Sequence, residues 1–247
     1  MTRTTDRKKG RKNPVKLSGP ERVYRTQLRQ VAQQVGALVN GFPPGDPSAV
    51  PTIEQLLRRY AEALTPWAEA TAARMLADVN RRDEAAWMAQ AQDMSRALRL
   101  EIRTAPTGAT MQALMAEQVG LIKSIPLEAA ERVHRLTIEG LEDSTRASEI
   151  SKAIQASGDV AKSRADLIAR TEVARTASTL TEARAMHVGS THYIWHTSED
   201  SDVRESHRRM DGKVVAWSDP PTIDKMTGHA GQFPNCRCWA EPIIPED

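Results

Sequence analysis

Apolar residues recur every three or four positions through the first two thirds of the chain, which is the period of an amphipathic helix. One helix is predicted to begin near Pro20 and to end at Asn40-Gly41, and its apolar seam has spacings of 4, 3, 4 and 3: Tyr24, Leu28, Val31, Val35 and Leu38. A second seam has spacings of 4, 3, 4 and 4: Trp87, Ala91, Met94, Leu98 and Ile102. Each seam predicts a helix that buries one face.

Proline, glycine and capping residues divide the rest of this helical pattern. Phe42–Pro47 is predicted as a linker, and a break follows at Thr104–Thr110. The other predicted helices run from about 52 to 64, from Pro66 onwards, over 110–123, from Ser124 and Pro126 onwards, over 147–156 and over 160–188. The last of these is capped by Asp159 and ends at Gly189.

The pattern changes after Gly189, where strand-forming and turn-forming residues replace the helical period. The predicted elements are strands at Thr191–Thr197 and Lys213–Trp217, a short helix at Asp202–Met210 and a long loop at Ser218–Pro234. The predicted fold class is therefore mainly α, with an N-terminal helical region followed by a small α+β C-terminal domain. The predicted boundaries are a disordered basic tail over 1–19, a helical region over 20–157 and the terminal domain over 158–247.

The composition excludes some classes of protein but does not identify one. The chain has 247 residues, 4% of them aromatic, and a formal net charge of +2, which is too small to mark the whole chain as a nucleic-acid binder. No apolar run approaches the roughly 20 residues of a membrane helix, and no secretory signal is predicted. Two cysteines do not make a disulfide scaffold, which favours a reducing cytoplasm.

The first 16 residues carry seven basic side chains and one acid, with no apolar period. Two interpretations remain open for this segment. It is either a solvated, disordered tail or a contact with DNA phosphates or an acidic protein surface. The candidate contact residues are Arg7, Lys8, Lys9, Arg11 and Lys12.

The chemistry of the chain is concentrated near its end, where two thiols and two imidazoles occur together. Cys236 and Cys238 are two residues apart, His207 precedes Cys236 by 29 residues and His229 precedes it by 7. These four side chains are the donor set of a Cys₂His₂ zinc site. In an extended segment both cysteines point to one face, with Arg237 turned away. Zinc would also anchor the long Ser218–Pro234 loop. Packed thiols and a redox pair remain open as alternatives, although a disulfide closing so tight a ring is strained.

A set of residues in this region resembles the C-terminal domain of the phage Mu F-like minor head proteins. The residues that carry the resemblance are Trp195, Thr197, Asp202, Val203, Arg204, His207, Asp211, Gly212, Asn235, Cys236, Arg237 and Cys238, with Arg170-Thr171-Glu172 and Gly189 upstream. The resemblance covers roughly 158–245. Many members have His-Pro directly before the closing Asn-Cys-Arg-Cys, whereas this chain has Phe233-Pro234, and its nearest histidine is His229.

The resemblance implies a minor head protein of a tailed phage or prophage that acts in head morphogenesis. It implies metal binding through His207, His229, Cys236 and Cys238, with zinc as the ion and with no catalysis. The expected partners are the portal protein, docked through 20–157, then the major capsid or scaffold protein, and phage DNA through the basic tail. The expected location is the head interior, after the host cytoplasm during assembly, and no membrane is involved.

A second set of polar residues is predicted to be structural: Arg170, Glu172, Asp202, Arg204 and Asp211. The alternative function is a metal-dependent hydrolase or nuclease that uses Asp202, His207, Cys236 and Cys238, because a catalytic zinc keeps one coordination position open. P-loop, G-x-S-x-G and H-E-x-x-H motifs do not occur in the sequence. A DNA-binding module that uses the basic tail is a third hypothesis.

Overall fold

The computed structural model describes residues 12–42, 47–91, 95–142 and 147–245. Within these ranges the helices are α1 (Ser18–Asn40), α2 (Val50–Ala63), α3 (Thr65–Gln90), α4 (Arg96–Thr104), α5 (Gly108–Glu142), α6 (Ala147–Gln155), α7 (Ser157–His187) and α8 (Glu205–Arg208). The strands are β1 (His192–His196), β2 (Val214–Ala216), β3 (Thr222–Ile223), β4 (Met226–Thr227) and β5 (Trp239–Pro242). The mainly helical fold with a small C-terminal sheet region is confirmed. No helix in the described ranges is both long enough and apolar enough to cross a bilayer.

The chain forms two compact units that do not follow its linear order. One unit comprises Ser18–Ala77 and Met111–Arg170, and the other comprises Asp78–Thr110, the chain from Thr171 and the short segment before Ser18. The boundaries fall within α3, near the start of α5 and within α7. The proposed division at residue 157 into a docking region and a terminal domain is a functional division and stays a prediction.

The Ser18–Ala77 and Met111–Arg170 unit is an all-helical bundle. Its α1 seam is buried as the spacing predicts, except that Val39 takes the place expected for Leu38. The Tyr24 hydroxyl donates a hydrogen bond of 3.0 Å to Gln118 Oε1 in the interior. Arg29 makes a two-pronged ion pair with Asp166, with both N···O distances 2.7 Å, and this pair lowers the pKa of the Asp166 carboxyl.

Three predicted helix boundaries are wrong. Asp159 does not cap the last predicted helix, because α7 begins two residues earlier, at Ser157. Pro126 does not open a new helix, because α5 continues through it from Gly108 to Glu142. Buried residues on both sides of the proline, among them Ile122, Ile125 and Val133, hold this helix in the core and offset the missing N–H. The second apolar seam is not one helix, since α3 ends at Gln90 and Ser95 caps α4 by accepting a hydrogen bond of 3.2 Å from the Leu98 N–H. Met94 of this seam lies outside the described residues.

The other unit contains the small sheet. The strand β1 lies at its centre, antiparallel to β2 on one side and to β5 on the other. The predicted strands correspond to β1 and β2, and the predicted short helix is confined to α8. The predicted long loop contains the β3–β4 hairpin, in which Asp224 and Lys225 both have positive φ, as a tight two-residue turn requires.

In the core of this unit, residues from helices pack against residues of the sheet. It contains, among others, Trp87, Ile102, Val188, Tyr193, Trp195, Val215, Trp217, Phe233, Cys236 and Cys238. The described residues before α1, from Lys12 to Leu17, also belong to this unit. Val15 is buried, and the carbonyl of Lys16 accepts a hydrogen bond of 3.1 Å from Arg82. Of the candidate DNA contacts, Arg7, Lys8, Lys9 and Arg11 lie outside the described residues, and Lys12 is exposed.

Candidate metal centre

His207 lies on α8, a helix of one turn whose N-cap is Arg204. Its side chain is 2% exposed and is enclosed by two aromatic rings. The Trp195 ring packs edge-on at 5.9 Å between centroids, and the Phe233 ring packs edge-on at 5.0 Å. These contacts restrict the orientation of the imidazole.

The two cysteines follow a tight turn. The Cys236 N–H donates to the Phe233 carbonyl at 3.0 Å, and Asn235 within this turn has a φ of 54°, a conformation that asparagine tolerates. The Asn235 N–H donates to Thr171 Oγ1 at 3.1 Å, so the turn is tied to α7. Cys236 and Cys238 are both buried free thiols on one face of the chain, and Arg237 between them is exposed.

The three side chains converge on one point. The ligand atoms of His207, Cys236 and Cys238 lie within 4.8 Å of one another. His207 Nδ1 is 3.4 Å from Cys236 Sγ and 3.5 Å from Cys238 Sγ. Zinc bonds of roughly 2.0 Å to nitrogen and 2.3 Å to sulfur at a tetrahedral angle also place these atoms about 3.5 Å apart. The three residues therefore fit a zinc-type metal ion.

The two sulfurs influence each other's ionisation. The interaction with the Cys238 side chain, assisted by His207, lowers the pKa of the Cys236 thiol. The same interaction and burial raise the pKa of the Cys238 thiol. The Cys238 N–H also donates to Cys236 Sγ at 3.4 Å. The local groups thus stabilise a first thiolate, and a divalent cation would be needed to stabilise a second one.

The structure does not bring the fourth predicted ligand, His229, into this group. Its Nδ1 lies 3.2 Å from the Tyr193 hydroxyl, and its Nε2 lies 3.6 Å from a carboxylate oxygen of Glu182. Its ring packs against Trp217 with centroids 5.4 Å apart, and burial lowers its pKa. Both ring nitrogens therefore face polar groups other than the two thiols.

The residues of the predicted structural polar motif form local contacts. Arg170 Nε is 3.6 Å from Glu21, and Glu172, which is nearly buried, is 3.7 Å from Arg175. Asp211 Oδ1 accepts hydrogen bonds from the Thr197 N–H and hydroxyl at 2.7 and 3.1 Å, which joins the end of β1 to the turn after α8.

Asp202 and Arg204 belong to the rim of the metal group. Arg237 donates to Asp202 at 3.2 Å and to Asp200 at 2.8 Å. Arg204 donates to the carbonyl of Pro234 and lies 3.8 Å from Asp224. Through these contacts the two arginines tie the segment that carries His207 to the segment that carries both cysteines.

A small pocket of about 20 Å³ opens onto the three donors, enough for one water-sized species. Its lining includes His207, Cys236 and Cys238 together with Asp202, Arg204 and Arg237. The last three side chains are 78%, 40% and 41% exposed, so the pocket communicates with solvent. The donor group is thus buried on its aromatic side and accessible on its charged side.

Several supporting residues were not singled out for a role by sequence reasoning. Thr171 holds the cysteine turn, Trp195 and Phe233 enclose His207, and Asp200 pairs with Arg237. The Pro-Asn pair before Cys236 is a turn signal that could have indicated the positive φ at Asn235. Nothing in the spacing of the chain indicates that Thr171, 64 residues upstream, reaches this turn.

The fold and the site define a helical protein whose small antiparallel sheet carries a buried His-Cys-Cys group with metal-ligand geometry. Residues 131–241 match the family model described as Phage Mu protein F like protein. The resemblance drawn from the motif residues is thereby confirmed, and over this segment the chain is Phage Mu F-like.

Two curated relatives are similar over about half of this chain. An uncharacterised protein of Haemophilus influenzae is 32% identical over 134 residues, which are 54% of this chain and 29% of the relative. An Enterococcus faecalis protein named NAD(+)–arginine ADP-ribosyltransferase EFV is 31% identical over 129 residues, 47% of this chain and 26% of the relative. The chain therefore spans less than a third of either relative. No solved structure gives a significant match.

Proposed function

We propose that this chain is a minor head protein of a tailed phage or prophage that acts in head morphogenesis. The observation that carries the proposal is the Phage Mu F-like match over 131–241, a segment that includes the whole His-Cys-Cys group. The protein would join the head during assembly in the host cytoplasm and reside in the head interior. Its proposed partners are the portal protein first, and the major capsid or scaffold protein second.

In this role the metal centre is a structural element. Zinc suits the donor set because two thiolates and an imidazole are its usual protein ligands. His207, Cys236 and Cys238 would hold the ion, and when bound it would cross-link α8 to the segment before β5. Thr171, Trp195 and Phe233 orient these ligands independently of the ion. The result is a rigid element in a region with little regular secondary structure.

The docking surface is proposed to lie within 20–157. The helices of the Ser18–Ala77 and Met111–Arg170 unit bury apolar side chains in their bundle and leave others exposed. Val23 on α1 is 61% exposed, and Ile138 on α5 is 43% exposed. Exposed apolar side chains on helices are typical anchors for a partner protein.

The experiment co-expresses the full chain with the portal protein of the same prophage and measures co-sedimentation. The wild type is expected to sediment with portal rings, and Val23→Glu and Ile138→Glu are expected to weaken this association at least tenfold. Met226→Glu is the matched control, because Met226 is 44% exposed on β4 in the other unit. Association that is absent in the wild type, or equal in all variants, contradicts portal docking through this surface.

The basic tail is proposed to contact phage DNA through Arg7, Lys8, Lys9, Arg11 and Lys12. Five cations within six residues neutralise several phosphates, so such binding weakens steeply with salt. This contact is independent of the metal centre.

One observation favours the second candidate function, a metal-dependent hydrolase or nuclease. Three protein ligands and an accessible pocket are the arrangement of a catalytic zinc. Cleavage of DNA or peptide by the zinc-loaded full chain, lost in Asp202→Asn with the fold intact, would establish it. The ADP-ribosyltransferase name belongs to a relative of which this chain covers about a quarter.

A further inference from the structure

The buried indole of Trp195 carries a hydrogen-bond donor that lacks an acceptor. The side chain is completely buried. Its Nε1 is buried too, and it has no hydrogen-bond partner among the residues that the structure describes. A buried N–H without an acceptor is rare in folded proteins, because nothing replaces its lost hydration. This donor therefore needs an explanation from its surroundings.

The β1–β5 register places this indole beside Cys238. Trp195 pairs with Ala240, and Cys238 lies two residues before Ala240. Side chains two residues apart in an extended chain point to the same face, so Cys238 is the diagonal cross-strand neighbour of Trp195. An aromatic side chain can reach a neighbour in this position. Both side chains are accordingly buried in the same core.

The indole acts on the sulfur of Cys238. Interaction with Cys236 and burial raise the pKa of the Cys238 thiol, and the Trp195 side chain acts in the opposite direction. An N–H near sulfur has this effect because it stabilises the thiolate form. The contact falls short of a complete hydrogen bond, as expected for a neutral thiol, which is a weak acceptor. A metal-bound thiolate is negatively charged and accepts such a bond more strongly.

We propose that Trp195 is a positioning residue of the metal centre, whose indole N–H donates a hydrogen bond to the Cys238 thiolate when an ion is bound. The inference rests on the proposed metal centre and adds an outer donor to its ligands. The Cys238 N–H already donates to Cys236 Sγ at 3.4 Å, so each thiolate then accepts one N–H···S bond. The Trp195 ring also packs edge-on against His207. Outer contacts of this kind orient metal ligands and strengthen metal binding.

The direct test loads the ¹⁵N-labelled full chain with ¹¹³Cd²⁺, which replaces zinc at thiolate sites. A ¹¹³Cd nucleus shows scalar coupling to an N–H proton through an N–H···S hydrogen bond, and NMR detects this coupling. The Trp195 indole proton is expected to couple to the metal. The Cys238 backbone N–H is the positive control, because it donates to Cys236 Sγ. The Trp217 indole is the negative control, because it donates to Ser190 Oγ at 3.3 Å.

Two matched variants measure what the indole contributes to metal binding. Trp195→Phe is expected to weaken zinc binding about tenfold or more in competition with a chelator. Its cysteine-to-cobalt charge-transfer band should also move to longer wavelength, because the thiolate loses a donor. Trp239→Phe should change neither, although Trp239 is next to Cys238 and its Nε1 is likewise buried without a partner in the described part of the chain. The Trp239 ring stacks on His196, on the other face of the strand, with centroids 4.4 Å apart.

The outcomes distinguish this inference from the proposed metal centre. A full chain that gives no cysteine-to-cobalt band overturns the metal centre and the inference with it. Cadmium bound through sulfur without coupling to the Trp195 indole proton leaves the metal centre intact and overturns the inference. Equal loss of zinc affinity in both variants, with an unshifted cobalt band in Trp195→Phe, assigns Trp195 a packing role and also overturns it. The coupling experiment uses the wild type, so it decides the question even where Trp195→Phe does not fold.

Discussion

A buried ion pair stabilises the unit that carries the His-Cys-Cys group, and its removal should have a pH-dependent cost. Asp83 on α3 is completely buried and pairs with Arg184 on α7, which is 4% exposed. Thr181 donates to the same carboxylate at 2.6 Å, and Arg184 also donates to Asn80 at 2.8 Å. Arg184→Met keeps the length and apolar volume of the side chain and removes the charge.

The size of the stability loss depends on whether the Asp83 carboxyl is ionised. Burial raises its pKa to about 6 from an ordinary value near 3.8, and Arg184 limits this increase. Because the pKa of Asp83 is higher in the folded than in the unfolded protein, the native state binds one more proton than the unfolded state at pH values between the two pKa values. The stability of the wild type therefore falls by about 3 kcal/mol as pH rises from about 4 to above 6.

At high pH, loss of Arg184 leaves the cost of burying the Asp83 charge without compensation. At pH 8 the variant must either bury an uncompensated carboxylate or protonate it at an unfavourable pH. The expected loss of unfolding free energy is therefore about 3–5 kcal/mol. At pH 5 Asp83 is mostly protonated in both proteins, and the loss reduces to hydrogen bonds worth about 1–2 kcal/mol. The two pH values should therefore differ by about 2 kcal/mol or more.

The assay is urea unfolding followed by tryptophan fluorescence at pH 5 and pH 8. Trp87, Trp195, Trp217 and Trp239 lie in this unit, so fluorescence reports chiefly on it. Arg209→Met removes an exposed charge and should change stability by less than about 0.5 kcal/mol at either pH. An equal loss from Arg184→Met at both pH values would refute the argument that Asp83 ionisation sets the cost.

Three further predictions concern the metal, a glycine and the tail. Chelation or Cys236→Ser should abolish stoichiometric zinc in elemental analysis, while His229→Ala should retain it; zinc at a thousand times its Kd adds about 4 kcal/mol to the unfolding free energy. Gly231→Ala should lower the unfolding free energy in urea by about 1 kcal/mol or more beyond the effect of Gly212→Ala. Both glycines have positive φ, but only at Gly231 would a Cβ meet a carbonyl oxygen, that of Cys238, at 3.0 Å. Deletion of residues 1–11 should leave the thermal midpoint unchanged and lower a salt-dependent DNA affinity in filter binding.

The helical part of the fold was predictable because its apolar seams are regular. Tyr24 to Val35 on α1 are buried at the predicted spacing. Local propensity failed where tertiary packing decides, as at Pro126, which the core on both sides keeps within α5. The strand β5 was also missed, since its four residues are a strand only because β1 lies beside them.

Three of the four metal donors predicted from residue type and spacing lie together in the structure. His207, Cys236 and Cys238 converge as expected, and the Cys-x-Cys spacing correctly predicted that both thiols share a face. His229 is near the two cysteines in sequence, but nearness in sequence does not determine which way a ring points. Tyr193 and Glu182, distant in sequence, decide its position.

The sheet already aligns the ligand-bearing segments before any metal is considered. Trp195 pairs with Ala240 in the β1–β5 register, which places Cys238 just beyond the end of the paired strands. The Trp195 carbonyl also accepts a hydrogen bond of 2.8 Å from the Gly212 N–H, in the turn that follows α8 and His207. One central strand residue thus fixes both segments, and its ring contacts His207 directly. A metal bound there would lock an arrangement that backbone pairing has already organised.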